Sequence, residues 1–167
     1  AGSSASTGED FVELYNQTDS AIDLTTWRLD YRSTATTSQW TRKAQLVGSI
    51  EAHGRYLIST ADYLSDIHDA TLTSGISKTG GSLRLVRVGQ NGAADETVDL
   101  VGWGTATQFD GDNPAPAPTD GQSLKRTVDA DGLFVATGEN DTDFSLSNHP
   151  SPSSDSQPVI AEADPEA

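Results

Sequence analysis

The sequence predicts an all-β domain, an antiparallel sandwich or barrel. Three observations predict it. Short apolar or alternating runs recur between Gly-, Asn-, Asp- and Pro-rich turns, giving eight to ten strands. A single segment, Thr60 to His68, carries helical spacing, and it is long enough for a turn or two only. No unit repeats at a fixed period, so a solenoid or propeller is not indicated.

Each element has its own local reason. Phe11 to Tyr15 alternates, with Val12 and Leu14 on one face and Phe11, Glu13 and Tyr15 on the other. Asn16 to Ser20 is a polar turn, and Ala21 to Leu24 a short strand. Trp27 to Arg32 alternates cleanly: Trp27, Leu29 and Tyr31 point in, and Arg28, Asp30 and Arg32 point out. Trp40 to Arg42 is a further short strand, followed by the apolar run Ala44 to Ile50. His53-Gly54 turns the chain into the strand Arg55 to Ser59. Thr71 to Ile76 is weakly strand-like. Gly80-Gly81 leads into the strong strand Ser82 to Val88. Gln90-Asn-Gly92 is a hairpin turn whose Asn-Gly pair favours a primed type, and Glu96 to Gly104 is the partner strand. A long loop from Phe109 to Gly121 precedes a strand at Ser123 to Thr127. Asp129 to Gly132 then turns into Leu133 to Ala136.

Composition excludes several function classes. Hydrophobic residues are 34% of 167, so a core is possible only if part of the chain is solvated loop. With no Cys, disulfides, thiolate metal sites and Cys nucleophiles are out of reach. With no Met, not even an initiating one, the chain is expected to be a processed or excised piece. The net charge of -15 opposes phosphate backbones and anionic membranes. No apolar run reaches the length of a membrane helix. Residues 1–126 carry all ten cations and sum to -6, whereas residues 127–167 sum to -9 without a cation. This contrast sets the expected organisation: a loop over 1–8, a folded body over 9–149, and a flexible acidic Pro/Ser-rich tail over 150–167, where Val159 and Ile160 alone could dock.

The body resembles a known family. Phe11-Val-Glu-Leu-Tyr-Asn16, then Ile22-Asp-Leu24 and Trp27-x-Leu29, resemble the opening signature of lamin tail domains. Ile50 to Ile58, Gly81-Ser-Leu-Arg-Leu85 with Val98 to Gly104, and Ala115 to Pro118 with Ser123 to Arg126 and Asp143-Phe144 continue the match in order. The last group is similar to the bacterial exported branch. The resemblance covers roughly residues 8 to 149 and implies an immunoglobulin-like β-sandwich with long loops. Bacterial members usually begin with a further strand, which the Gly/Ser-rich start lacks. An uncovered sheet edge, open to strand addition or self-association, is therefore expected.

The candidate chemistry is sparse. Trp27 and Trp103 take core positions, whereas Trp40, in a polar stretch, is the candidate for ligand contact by stacking. Glu13 has no second carboxylate tied to it by spacing, so it reads as a hydrogen-bonded structural residue rather than half of a glycosidase pair. His53, His68 and His149 show no zinc spacing, and no nucleophile elbow exists. Calcium is the one metal to carry. Asp110, Asp112 and Asp120 offer oxygens in the long loop, although Asp is also what turns require. The stretches Asp129 to Gly132 and Glu139 to Asp143 give two more oxygen clusters, but none of the three fits an EF-hand: counted from Asp129, positions five and twelve are Leu133 and Asn140. Arg28, Arg32, Arg42, Lys43, Arg84, Arg87, Lys125 and Arg126 could gather on one sheet face or be paired surface ions.

These features lead to a non-catalytic recognition or spacer domain of a larger exported protein, extracellular or at the cell surface. It would bind a protein or cell-surface ligand, or position an attached extracellular enzyme. No cofactor, nucleic acid or membrane insertion is expected. A carbohydrate- or calcium-binding module and a hydrolase with clustered carboxylates are the alternatives.

Overall fold

The computed structural model describes residues 8–35 and 38–155. The strands are β1 (Phe11–Tyr15), β2 (Ile22–Asp23), β3 (Trp27–Arg32), β4 (Thr41–Gln45), β5 (Ser49–Ile50), β6 (Arg55–Thr60) and β7 (Ala70–Leu72). The chain continues through β8 (Gly80–Arg87), β9 (Glu96–Gly104) and β10 (Ser123–Arg126) to one helical turn, α1 (Asn140–Asp143), and then β11 (Phe144–Ser147). An antiparallel sheet of order β4-β3-β8-β9 packs against a sheet of order β1-β6-β7. Two small pairs, β2-β5 and β10-β11, complete the described strands. One pairing departs from the antiparallel expectation, because β6 and β7 run parallel.

The core is set by β3 and its neighbours. Trp27, Leu29 and Tyr31 point inward as the alternation requires. They join Leu83 of β8, Trp103 of β9, Tyr56 and Ile58 of β6, and Leu72 of β7 in one cluster. Trp103 is 1% exposed, and its indole N–H donates to the Ser77 carbonyl at 2.9 Å. Trp103 lies opposite Gly81 in the ladder. A Cβ at Gly81 would stand 2.5 Å from the Tyr31 ring, so this position takes glycine for space. The hairpin turn takes it for conformation. Asn91 and Gly92 have φ of 53° and 87°, and Ala93 N–H donates to Gln90 at 3.0 Å, which is a type I′ turn.

Several expected elements need correction. The Thr60 to His68 segment is a chain of turns, not a helix. Leu64 has φ of 55°, in the left-handed region, which ends any right-handed turn. Among the described residues the one helical turn is α1, whose four residues are too few for sequence periodicity to register. Eleven strands form among the described residues, not eight to ten. Thr71 to Ile76 contributes only its first two residues to β7. Leu133 to Ala136 makes one isolated bridge, Phe134 to Val128, rather than a strand. Residues 1–7 and 156–167 of the expected loop and tail lie outside the described residues. Ahead of the latter, Ser153 and Asp155 hydrogen-bond to Glu13 of β1 and Arg55 of β6.

Polar side chains pin the loops to this frame. Asn16 is 2% exposed, and its Nδ2 donates to the carbonyls of Ser20, Ile50 and Glu51 at 2.8 to 3.1 Å. The residue expected to make a turn therefore also ties β1 to the β5–β6 connection. Asn140 does the same at the other end of the body. Its Oδ1 accepts Gly102 N–H at 2.7 Å and Asp110 N–H at 3.2 Å, and its Nδ2 donates to the Leu100 carbonyl.

The core positions give a direct check. Trp27→Ala and Trp103→Ala should each lower unfolding free energy by about 3 to 5 kcal/mol. Trp40→Ala, at a half-buried site outside the core cluster, should cost clearly less. Urea denaturation of the three variants measures this. A Trp40→Ala loss equal to the others would overturn the inside/outside assignment.

Candidate interaction surface

The outward face of the four-stranded sheet is built from the second half of the β3 alternation. Asp30 sits at its centre. In register it lies between Arg84 of β8 and Arg42 of β4, and Arg28 and Arg32 flank it on its own strand. Four arginines thus share the face with one carboxylate. Asp30 was expected to point to solvent with its neighbours, and it does leave the core side. Yet it is 3% exposed, because the arginines cover it. Arg28 Nε donates to both carboxylate oxygens at 3.0 and 3.2 Å, and Arg84 Nε and Nη2 donate to Oδ2 at 3.1 and 2.9 Å. A buried carboxylate held by two guanidiniums is a pairing in which removal of one partner is costly.

The pairing spreads outward from Asp30. Arg28 Nη2 reaches Asp95 at 2.8 Å, which fastens the β8–β9 hairpin to β3. That hydrogen bond, then the Gly89 N–H, holds the Asp95 carboxyl below the usual carboxylate range. Asp30 in turn pushes the Arg28 guanidinium up, against a smaller opposing effect of burial. The Arg84 guanidinium lies over the Trp40 ring at 4.4 Å from its centroid. Trp40 is half-buried, and one stacking face is engaged by a cation of its own chain. Arg42 makes no ion pair among the described residues, and Arg32 Nε is buried without a hydrogen-bond partner.

The other expected cations disperse. Lys43 is buried, its ammonium bonded to Ser74 and the Gly75 carbonyl and 4.9 Å from the Tyr31 ring centroid. Burial pushes its pKa down, and Asp10 partly restores it. Arg87 pairs with Glu96, and Arg126 with Asp99 at 2.8 Å and Asp143 at 3.6 Å. Asp143 is pushed up by burial, but hydrogen bonds from Thr137 and Gly138 together with Arg126 hold it below the ordinary value. The gathered set is therefore Arg28, Arg32, Arg42 and Arg84. The alternation Arg28-x-Asp30-x-Arg32 carried that signal in the sequence. Asp95, far along the chain, carried none.

The candidate metal ligands are not brought together. Asp120 pairs with Lys78. Asp110 accepts Asn140 N–H through its carbonyl at 3.0 Å, and burial pushes its carboxyl up. The Asp112 N–H donates to Glu139 at 2.9 Å. Among the described residues no group of three or more His, Asp or Glu is placed to hold a metal ion. The loop is held by Asn140 and Glu139, so an ion is not required to shape it. His53 contacts Asp19 at 2.9 Å, His68 contacts Ser59 at 2.6 Å, and His149 is exposed. Glu13 is hydrogen-bonded as expected: it accepts Ser153 N–H at 2.9 Å and lies 3.6 Å from Arg55.

A second feature is a groove of about 670 Å³ beside β1, lined by Leu14, Tyr15, Leu85, Val101, Leu124 and Phe144 among others. Among the described residues β1 pairs with β6 alone, so its other edge carries no strand.

The Lamin Tail Domain model matches residues 1–155. The chain belongs to the lamin tail domain family. The match spans every described strand, and the immunoglobulin-like fold of the family agrees with the sheets observed. No curated protein and no solved structure matches the chain. As a lamin tail domain the chain is an immunoglobulin-like interaction domain.

Two outcomes are expected here. In Arg28→Gln the Asp95 carboxyl should titrate at higher pH, back toward the ordinary value, because the ion pair that favours its charged form is gone. Carbon-detected NMR titration of Asp95 reads this, and an unmoved midpoint would show that Arg28 does not hold it. The melting temperature should be the same in millimolar calcium and in chelator at matched ionic strength. A rise with calcium concentration would reveal a site at Asp110, Asp112 and Asp120 or elsewhere.

Proposed function

We propose that this lamin tail domain is a non-catalytic recognition or spacer module of a larger exported protein. It binds a protein partner, or positions an attached extracellular enzyme at the cell surface. The observation that supports this reading is the outward face of the four-stranded sheet. Arg28, Arg84 and Trp40 are locked there around the buried Asp30, and Arg42 stands beside them with no ion pair among the described residues. Arginine and tryptophan held on a rigid sheet are the residue types that anchor protein interfaces, because little rotamer freedom is left to lose on binding. The groove at the β1 edge offers a further surface for strand addition or self-association.

The experiment removes residues 8–155 from the full-length exported parent. Turnover of a small soluble substrate by the attached enzyme should be unchanged, while the fraction retained at the cell surface falls. Loss of turnover with retention intact would oppose the module reading and favour a catalytic contribution.

A further inference from the structure

Beside the four arginines, at the end of the four-stranded sheet where β3 begins and β8 ends, lies a hollow of about 450 Å³. We propose that it binds a carboxylate carried next to an aliphatic side chain on an extended acidic segment of a partner protein. The proposal rests on the reading of the domain as an interaction module and names the chemistry of its partner.

The lining supplies both halves of that ligand. Arg28 and Arg42 stand at the hollow with Thr25 and Gln45, while Val47 and Val88 give it an apolar part. Arg28 is already committed: its Nε serves Asp30 and its Nη2 serves Asp95. Arg42 is not. It is exposed and forms no ion pair among the described residues, so its guanidinium can meet a carboxylate two bonds at a time. Val47 is 58% exposed, although its backbone is fixed by hydrogen bonds with the Tyr56 hydroxyl. An aliphatic side chain laid on Val47 and Val88 would remove apolar surface from water on both sides. A hollow of this size falls within the range that accommodates a small ligand or a few residues of peptide.

Charge selects a peptide over a polyanion. The Arg28, Arg32, Arg42 and Arg84 set outnumbers Asp30 and Asp95, so the face is locally positive on a chain of net charge -15. A long phosphate backbone would meet the field of the whole acidic chain, whereas the few carboxylates of a short peptide segment meet mainly the arginines nearby.

The test uses the 167-residue chain labelled with ¹⁵N and a capped pentapeptide, Glu-Val-Glu-Leu-Glu, at low salt. Its counterpart with Gln at the three Glu positions, inorganic phosphate and a DNA duplex are parallel probes. Saturable shifts at the Thr25, Thr26, Gln45 and Gln90 amides are expected with the acidic peptide and not with the Gln peptide. Arg42→Gln should weaken binding by about tenfold, the loss of one charge-assisted contact. Val47→Asp, at an exposed site, should weaken it too while leaving the spectrum folded. Four results would overturn the proposal: no saturable shift up to about 5 mM peptide; equal binding of the Gln peptide; phosphate or duplex binding as tightly at the same amides; or Arg42→Gln binding like the parent chain. The surface-retention experiment tests the module reading independently, so the peptide can fail to bind here while that reading stands.

Discussion

A carboxylate that leaves water must find partners, and Asp30 is where this requirement organises the outer half of the domain. Two guanidiniums on it satisfy its oxygens and fix Arg28 and Arg84 in place. Arg28 then reaches Asp95 and secures the β8–β9 hairpin, and Arg84 lies on Trp40 ahead of β4. Strand β3, the β8–β9 hairpin and the segment ahead of β4 are linked through a single buried charge. An apolar set in place of Asp30, Arg28 and Arg84 together could pack as well, but removal of Asp30 alone would leave two largely covered guanidiniums unpaired, which is costly.

The inner half depends on a different constraint, which is close packing. Tyr31 and Trp103 stand with ring centroids 6.2 Å apart, and Gly81 is the space that lets them do so. The same strand, β3, serves both halves because its side chains alternate. Trp27, Leu29 and Tyr31 bind the sheets together, and Arg28, Asp30 and Arg32 build the face offered to a partner. Fold and interaction surface are thus two readings of six consecutive residues, and damage to β3 pairing would disturb both.

Loops in this protein are held by amides and carboxylates of their own chain. Asn16, Asn140 and Asp143, each 2% exposed, bond mainly to backbone groups. Glu139 closes the turn around Gly111 and Asp112. This explains why acidic clusters that look like ligand sets need not be ones. The Asp120 carboxylate is taken by Lys78, and the bonds that hold Asp110 and Asp112 in the loop are made by their backbone groups. Abundant acidic residues on long loops are compatible with a firm structure on these terms, even in a chain of such high negative charge.

The sequence by itself determined the all-β class, the family and the inward and outward alternation of β3. Period-two alternation and turn residues act locally and are visible in a few consecutive letters. Its motifs also placed Trp27 and Trp103 in the core and made Glu13 a hydrogen-bonded residue. Only the tertiary structure decided what covers each outward face. Alternation says that Asp30 points away from the core, but not that Arg84, 54 residues later, will bury it. It shows Arg28, Arg32 and Arg42 as charges, but not which of them keeps a free guanidinium. It could not reveal that Asp120 goes to Lys78 while Asp110 and Asp112 are held from Asn140 and Glu139. Nor could it show that Leu64 turns left-handed where helical spacing was present. For each of these pairings the deciding partner is distant in sequence, and a pairing between distant residues leaves no local periodicity to read.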